Sequence, residues 1–552
     1  MPRTDGHPIH GPSLHGIAPL ALAHLWVAFV AFLGAAVLGT WQMWVRSPLP
    51  APLETPENYF ISVTAHGSTM AYVVTTFFAM GFGYTVAVTA LERRMVGPVW
   101  AWLGFALSLT GTVMVLATVF AGLASVLYTF YPPLLGAAPF YFGLLLLFGG
   151  SWIWAVLMVA QAATWRRENP GKPLPFAMFA MTATAILWLW TGVGVGSEIL
   201  GIILPHVLGF TSRLDAGLAR TLFSWTLHAI TYFWLLPGYV AFYVFLPAAA
   251  GGRLYSDVMG RVVFILFLVF SVPSGMHHML VDPELPSGFK FAQVVLTAMI
   301  VLPTLLTIFT IGASLEMAGR LRGGRGLLGW IRALPWDRPM VLAGGLSIVM
   351  LGLGGFGGLV NMSYAMNAMI HNTAWVTAHF HLILGGSTII MYFAIAYEIW
   401  PALTGRTLGS LRLVRAQLWT WFVGIMVVTL PWHVTGLLGQ PRRVALFDYS
   451  DPTASRWGTL SAISAVGALL MLAGAALFLV NLAVRGKPVE DRTIRYAVAL
   501  NPPTTLPATL NKFAGWNLVM ALVVGLVYGV PLARLVIPGI GSTVASAPPR
   551  GN

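Results

Sequence analysis

The sequence predicts an all-α, polytopic transmembrane bundle of about thirteen helices, and three observations carry that expectation. Of 552 residues, 57% are hydrophobic and only 9% charged, where a soluble protein carries roughly 25% charged residues. Mean hydropathy is +0.80. The apolar residues fall in runs of ~20 or more, long enough for a helix to cross a hydrocarbon core of ~30 Å. No soluble domain, strong repeat or low-complexity tract interrupts them. Residues 1–552 read as a single integral-membrane domain, with tails at 1–16 and 541–552.

In order, the spans are expected near 17–45, 60–91, 99–127, 137–164, 176–206, 217–247, 259–278, 289–316, 339–360, 371–401, 414–440, 458–484 and 512–537. The first follows a tail carrying His7, His10 and His15. It is too long for a signal-peptide core and lacks a small-residue cleavage site, so it is expected to be retained. Cations collect after every second span: Arg93 and Arg94; Arg166, Arg167 and Lys172; Arg253; Arg320, Arg322, Arg325, Arg332 and Arg338; Arg406, Arg412 and Arg415; Arg485, Lys487, Arg492 and Arg495. By the positive-inside rule those loops face the cytoplasm, placing the N-terminus inside and the C-terminus outside. The opposite loops are poorer in cations, apart from the adjacent pair Arg442 and Arg443. The net charge of +13 therefore reads as loop charge beside an anionic leaflet and not as a nucleic-acid surface.

The chain is organised around His371-Asn-Thr-Ala-Trp-Val-Thr-Ala-His379-Phe-His381. Histidines two residues apart point about 200° apart on a helix turning ~100° per residue. One helix can then serve two centres. His66, His228, His277, His278, His379 and His381 come from spans two, six, seven and ten, and all fall in the outer half of the membrane. Intramembrane histidines are costly and mark sites, and a shared depth points to a multi-centre metal site. With no Cys in the chain, disulfides, thiolate-bound clusters and cysteine-ligated copper are excluded here. His228, His277 and His278 suit copper or zinc. Adjacent His277 and His278 share one metal only if their helix end opens, and Pro273 and Gly275 allow that. A haem that only transfers electrons takes two axial histidines, and one that leaves a side open takes one. That logic gives His66 and His381 to a low-spin haem and His379 to a high-spin haem facing the copper.

Tyr232 lies four residues from His228, on the same helix face, where a phenol beside the metal can supply an electron and a proton together. Tyr239 and Tyr243 continue that face, and Thr304, Thr307 and Thr310 descend span eight at three-residue steps. Hydroxyls donate and accept at once, so the row reads as a proton path from the cytoplasm. Glu198, in span five, is an isolated intramembrane acid without an assigned role.

These segments resemble the catalytic subunit of heme-copper oxygen reductases, most closely the B-type cytochrome c oxidase branch, over nearly the whole chain. The matching stretches are His66-Gly, Tyr128-Thr-Phe-Tyr131-Pro-Pro, His228-Ala-Ile-Thr-Tyr232, His277-His278, the His371–His381 run and Pro441-Arg442-Arg443. The resemblance implies a low-spin haem of b type on His66 and His381, a high-spin haem of a or b type on His379, and one copper on His228, His277 and His278. It also implies a covalent His228–Tyr232 link, and haem propionates held by Arg442 and Arg443 near His371; charge-assisted bonds suit the arginines to that role. The A-type helix glutamate is replaced in His228-Ala229-Ile230-Thr231-Tyr232, and the loop Glu92–Pro98 lacks the A-type Asn-Asp entrance. One proton channel, the Tyr/Thr row, is then expected. Asn367 stands where an acid near the propionates is expected. The resemblance implies a proton-translocating terminal oxidase in a prokaryotic inner membrane, reducing dioxygen to water. Its expected partners are a subunit II carrying a dinuclear copper centre, a small transmembrane subunit, and cytochrome c or a similar donor. A nitric oxide reductase is the alternative on this scaffold, but it uses a nearby glutamate and ordinarily lacks the tyrosine. A transporter with thirteen helices would not need six imidazoles at one depth.

Overall fold

The computed structural model describes residues 14–283 and 285–537. The C-terminal tail, His7 and His10 lie outside the described residues; of the N-terminal tail, Leu14–Gly16 forms a 3-10 turn. Among the described residues, twelve helices are long and apolar enough to cross a membrane. In chain order they are α1 (Ala18–Val45), α2 (Pro56–Thr89), α3 (Pro98–Phe120), α4 (Ala138–Glu168), α5 (Phe176–Val207), α6 (Ala216–Val244), α8 (Ser287–Leu321), α9 (Pro339–Met362), α10 (Ala374–Thr404), α11 (Leu411–Leu437), α12 (Pro452–Ala483) and α13 (Ala514–Val536). Between α6 and α8 lies α7 (Asp257–Ser271), only 15 residues long, or ~22 Å. A 3-10 turn, Gly275–Met279, extends it.

Polar residues start the helices where backbone N–H groups lack partners. Thr55 caps α2, Asp215 α6, Ser256 α7, Ser410 α11 and Asp451 α12. The apolar runs then propagate, because inside lipid every backbone group must bond within its own segment. Several ends differ from the sequence expectation. α3 stops at Phe120, seven residues short of the expected end at 127, so residues 121–127 lie in a connection. α10 starts at Ala374, which leaves His371 in the turn before it. α2 starts earlier, at Pro56.

The three helices bearing His66, His228 and the His379/His381 pair, α2, α6 and α10, are the most enclosed of the twelve. Outward-facing Val99, Val113, Phe356 and Leu526 are exposed, as lipid-facing apolar residues are. α3 packs on α4, α5 on α6, α7 on α8, and α11 on α12. Short π-helical turns interrupt α2 (Thr69–Val74), α5 (Ile199–Ile203) and α10 (His381–Thr388). Beside the one in α5, the Thr226 hydroxyl of α6 accepts from Val195 N–H and donates to the Thr191 carbonyl, both at 2.8 Å. That hydroxyl is spliced into the α5 ladder and fixes α6 two residues before His228. A two-stranded antiparallel pair, Arg406–Leu408 with Arg485–Pro488, ties the connections after α10 and α12.

Candidate metal centres

The two histidines expected to share a haem face each other. The rings of His66 and His381 are stacked, with centroids 6.2 Å apart and planes 17° apart. A metal–imidazole bond is about 2 Å, and a ring centre lies about 1.1 Å behind its nitrogen, so two imidazoles on opposite sides of one metal stand about 6.2 Å apart. Each ring is oriented through its other nitrogen: His66 Nδ1 lies 2.8 Å from the Ala35 carbonyl and His381 Nδ1 2.8 Å from the Thr377 carbonyl. A carbonyl can only accept, so both Nδ1 atoms carry the hydrogen and both Nε2 lone pairs are left to ligate. The residues fit a bis-histidine haem. Sequence reasoning missed Gly39 of α1, whose absent side chain makes room for His66: a Cβ there would stand 2.9 Å from the imidazole Cε1.

His228, His277 and His278 converge. One ligand atom from each lies within 4.8 Å of the others, which no lone packing role requires. The pair His277-His278 sits on the 3-10 turn Gly275–Met279, so the helix end opens as Pro273 and Gly275 predict, and the two rings come to 4.2 Å. His228 Nε2 and His278 Nε2 are buried without hydrogen-bond partners; a buried polar atom without a partner is costly, and a metal ion removes the cost. His277 is oriented by Thr297 of α8, which sequence reasoning missed. Its hydroxyl gives its one hydrogen to the Gln293 carbonyl at 2.7 Å and so accepts from His277 Nδ1 at 3.1 Å. That leaves His277 Nε2 for the metal. The donor set fits copper, with neutral imidazoles and no thiolate. On the other side of α10, His379 lies against α9 at Gly357, where a Cβ would come within 2.8 Å of its Nδ1.

Tyr232 packs edge-on against His228, centroids 4.6 Å apart. Below it, α6 and α8 are joined by two rungs: Tyr239 to Thr304 at 2.9 Å and Tyr243 to Thr307 at 3.0 Å. Thr310 is buried below them, and Ser314 continues the row, with its hydroxyl on the Thr310 carbonyl at 2.7 Å and Tyr255 N–H on its oxygen at 2.9 Å. The three-residue threonine steps pointed at this row, and Ser314 was the next four-residue step. Phe267 of α7 touches the rings of both Tyr232 and Tyr239.

At the outer end, a short backbone pairing brings together residues far apart in sequence. Ala374 N–H bonds the Gln440 carbonyl at 2.8 Å and Arg442 N–H the Asn372 carbonyl at 2.9 Å. His371, Arg442 and Arg443 are thereby gathered beside α10. Asn367 accepts from or donates to nothing acidic; its Oδ1 faces His371 Nδ1 at 3.2 Å while its amide bonds the Asn361 carbonyl at 2.6 Å. It positions the imidazole. Arg442 Nε is buried without a partner, and Arg443 holds φ +62°, a left-handed backbone costly for a branched side chain and typical of ligand clamps. Burial, and then Arg443, bring the Arg442 guanidinium down to about 10, while burial, and then Arg442, hold His371 at about 4. Both shifts come first from burial and then from neighbouring positive charge, and an acidic group beside the arginines would oppose them. Glu198 of α5 is fully buried, and neither carboxyl oxygen has a hydrogen-bond partner.

Fold and site together describe an integral-membrane protein with the residues of a metalloprotein: a facing histidine pair and a three-histidine cluster that could hold a metal ion. The model of the family described as "Cytochrome C and Quinol oxidase polypeptide I" matches residues 19–470. The chain belongs to that family, the heme-copper oxidase subunit I proteins, and is an oxidoreductase subunit. It is 37% identical to cytochrome c oxidase subunit 1 of Thermus thermophilus over 492 residues, 87% of each chain. It is 25% identical to that of a Synechocystis strain over 501 residues. A heme-copper terminal oxidase dimer solved by cryo-EM superposes with TM-score 0.89 at 31% identity, covering 94% of this chain and 92% of that one.

Proposed function

We propose that this chain is the catalytic subunit of a B-type terminal oxidase that reduces dioxygen to water, each dioxygen consuming four electrons and four protons. The observation that carries the reading is Tyr232 against His228 at the three-histidine cluster, with no glutamate beside them among the described residues. The haems and copper, when bound, supply the redox chemistry. His66 and His381 hold a low-spin haem of b type, His379 a high-spin haem of a or b type, and His228, His277 and His278 the copper. Arg442, Arg443 and His371 bind the propionates. With those groups bound, Tyr232 would be placed to supply an electron and a proton from its hydroxyl for the reduction of dioxygen, and would be bonded to His228 by a covalent link.

The replacement proton climbs from the cytoplasmic side along Ser314, Thr310, the Tyr243–Thr307 rung and the Tyr239–Thr304 rung. Water bridges the last gap past Phe267. Uptake from that side alone builds a transmembrane gradient, and the arginine-rich loops set the orientation, N-terminus inside. With no cysteine here, a dinuclear copper entry site belongs to a subunit II, fed by cytochrome c or a similar donor in a prokaryotic inner membrane.

The test is gas consumption by the purified complex with a reduced donor, given oxygen and then nitric oxide as sole acceptor. Rapid cyanide-sensitive oxygen uptake with slow nitric oxide turnover is expected. Nitric oxide conversion without oxygen uptake would replace this reading with that of a nitric oxide reductase.

A further inference from the structure

At the arginine-rich end of the bundle, the connection before α9 and the first turns of α11 enclose a cavity of about 470 Å³. Trp336, Asp337, Leu342, Arg412, Arg415 and Trp419 line it. Three features give it a ligand preference. Arg412 and Arg415 sit in the first two turns of α11, which has no acidic residue in its first turn, so their charge opposes the positive N-terminal end of the helix dipole. Neither guanidinium makes a hydrogen bond or ion pair with another described residue. Two arginines and one aspartate leave the lining at a formal charge of +1, the complement of one phosphodiester.

The cavity also opens onto apolar surface. Seven and fourteen residues beyond Leu342, on the same face of α9, Val349 and Phe356 are 50% and 64% exposed. Seven and fourteen residues beyond Ala416, which also lines the cavity, Val423 and Leu430 of α11 are 44% and 47% exposed. Two apolar tracks thus run from one charged pocket towards the bilayer centre. Trp336, pinned by its indole N–H on the Ile331 carbonyl at 2.8 Å, and Trp419 stand at the water–lipid boundary, where aromatic rings settle.

We propose that this cavity binds an anionic phospholipid, with its phosphodiester on Arg412 and Arg415, its glycerol edge between Trp336 and Trp419, and its two acyl chains along the α9 and α11 tracks. A free phosphate would use the arginines but leave the tracks unexplained. Basic pockets between helices at this membrane surface recognise such head groups, each arginine adding about fivefold in affinity.

The detergent-washed holoenzyme is titrated separately with phosphatidylglycerol, phosphatidylcholine and inorganic phosphate, and bound lipid is counted by native mass spectrometry. One tightly held phosphatidylglycerol per chain is expected. Arg412→Gln with Arg415→Gln weakens it about thirtyfold, while the double lysine variant, keeping the charge, holds it far better than the glutamine pair. The single Arg412→Gln variant, expected about fivefold weaker, serves if the double variant does not assemble. Phosphatidylcholine binding as tightly, unchanged affinity in the glutamine variants, or displacement by equimolar inorganic phosphate would each overturn the assignment.

Discussion

Replacing Gly39 by alanine should unseat one axial histidine without touching any residue that binds a metal. The added Cβ would stand 2.9 Å from Cε1 and 3.1 Å from Nδ1 of His66, where carbon contacts settle at about 3.5–4.0 Å. The imidazole must retreat by ~0.6 Å or more. It has little freedom, because α1 supplies both the clash and the anchor: His66 Nδ1 is tied to the Ala35 carbonyl one turn away at 2.8 Å. The 6.2 Å ring spacing leaves room for two bonds of ordinary length to one iron, so that displacement stretches one of them well beyond the usual ~2 Å. Overpacking of this kind costs about 1–3 kcal/mol, too little to abolish folding. The expected outcome is partial loss of the low-spin haem signal in optical and paramagnetic resonance spectra of purified Gly39→Ala protein. Gly34 supplies the control, since a Cβ on that part of the same helix meets nothing within 4 Å, and Gly34→Ala should keep the wild-type spectrum. A Gly39→Ala spectrum indistinguishable from that of Gly34→Ala, at equal haem content, would mean that His66 is not held at bonding distance from an iron.

Tyr232→Phe should lower oxygen turnover by about 10²-fold or more while leaving the haem spectrum largely intact; full activity would remove Tyr232 from the chemistry. The peptide containing His228 and Tyr232 should be lighter than its unlinked sum by a hydrogen molecule, as mass spectrometry of a digest would show. Tyr239→Phe, which breaks the 2.9 Å rung to Thr304, should slow turnover by about 10²-fold with electron entry into the haems unchanged. Wild-type turnover in that variant would rule the rung out as a conduit. Thr297→Val removes the acceptor that orients His277 and should weaken copper binding about 10–100-fold, measured as copper per haem after chelator dialysis.

The membrane class, the order of the spans and the gathering of His228, His277 and His278 were legible because each rests on a local signal: apolar run length, charge at the ends of runs, and a residue type that lipid tolerates only for a reason. The opening of the chain at His277 and His278 was legible too, from Pro273 and Gly275. What escaped is what one helix does to another. Gly39 and His66 are 27 positions apart, and Thr297 and His277 are 20 apart; nothing in the spacing of either pair marks a contact, since facing positions are fixed only when two helices pack. Helix ends failed for a related reason. Residues 121–127 continue an apolar stretch, so hydropathy carried span three through residues that the backbone turns into a connection.

The π-helical turns are the sharpest case of that limit. None contains a proline, and those in α2 and α5 read as largely apolar helix, while the one in α10 holds an adjacent glycine pair. In α5 the turn lies between two features: the Thr226 hydroxyl of α6 bonds Val195 N–H and the Thr191 carbonyl one turn before it, and Pro205, which has no N–H to give, follows two residues after it. The turn in α10 begins at His381, itself one of the proposed ligands. Within an unbroken α-helix, His379 and His381 would be fixed at about 200° by the helix alone; a wider turn starting at the second of them lets each imidazole be aimed by its own surroundings, Gly357 for one and the Thr377 carbonyl for the other. Helix irregularity is therefore part of how one span, on the proposed ligand assignment, serves two metal sites.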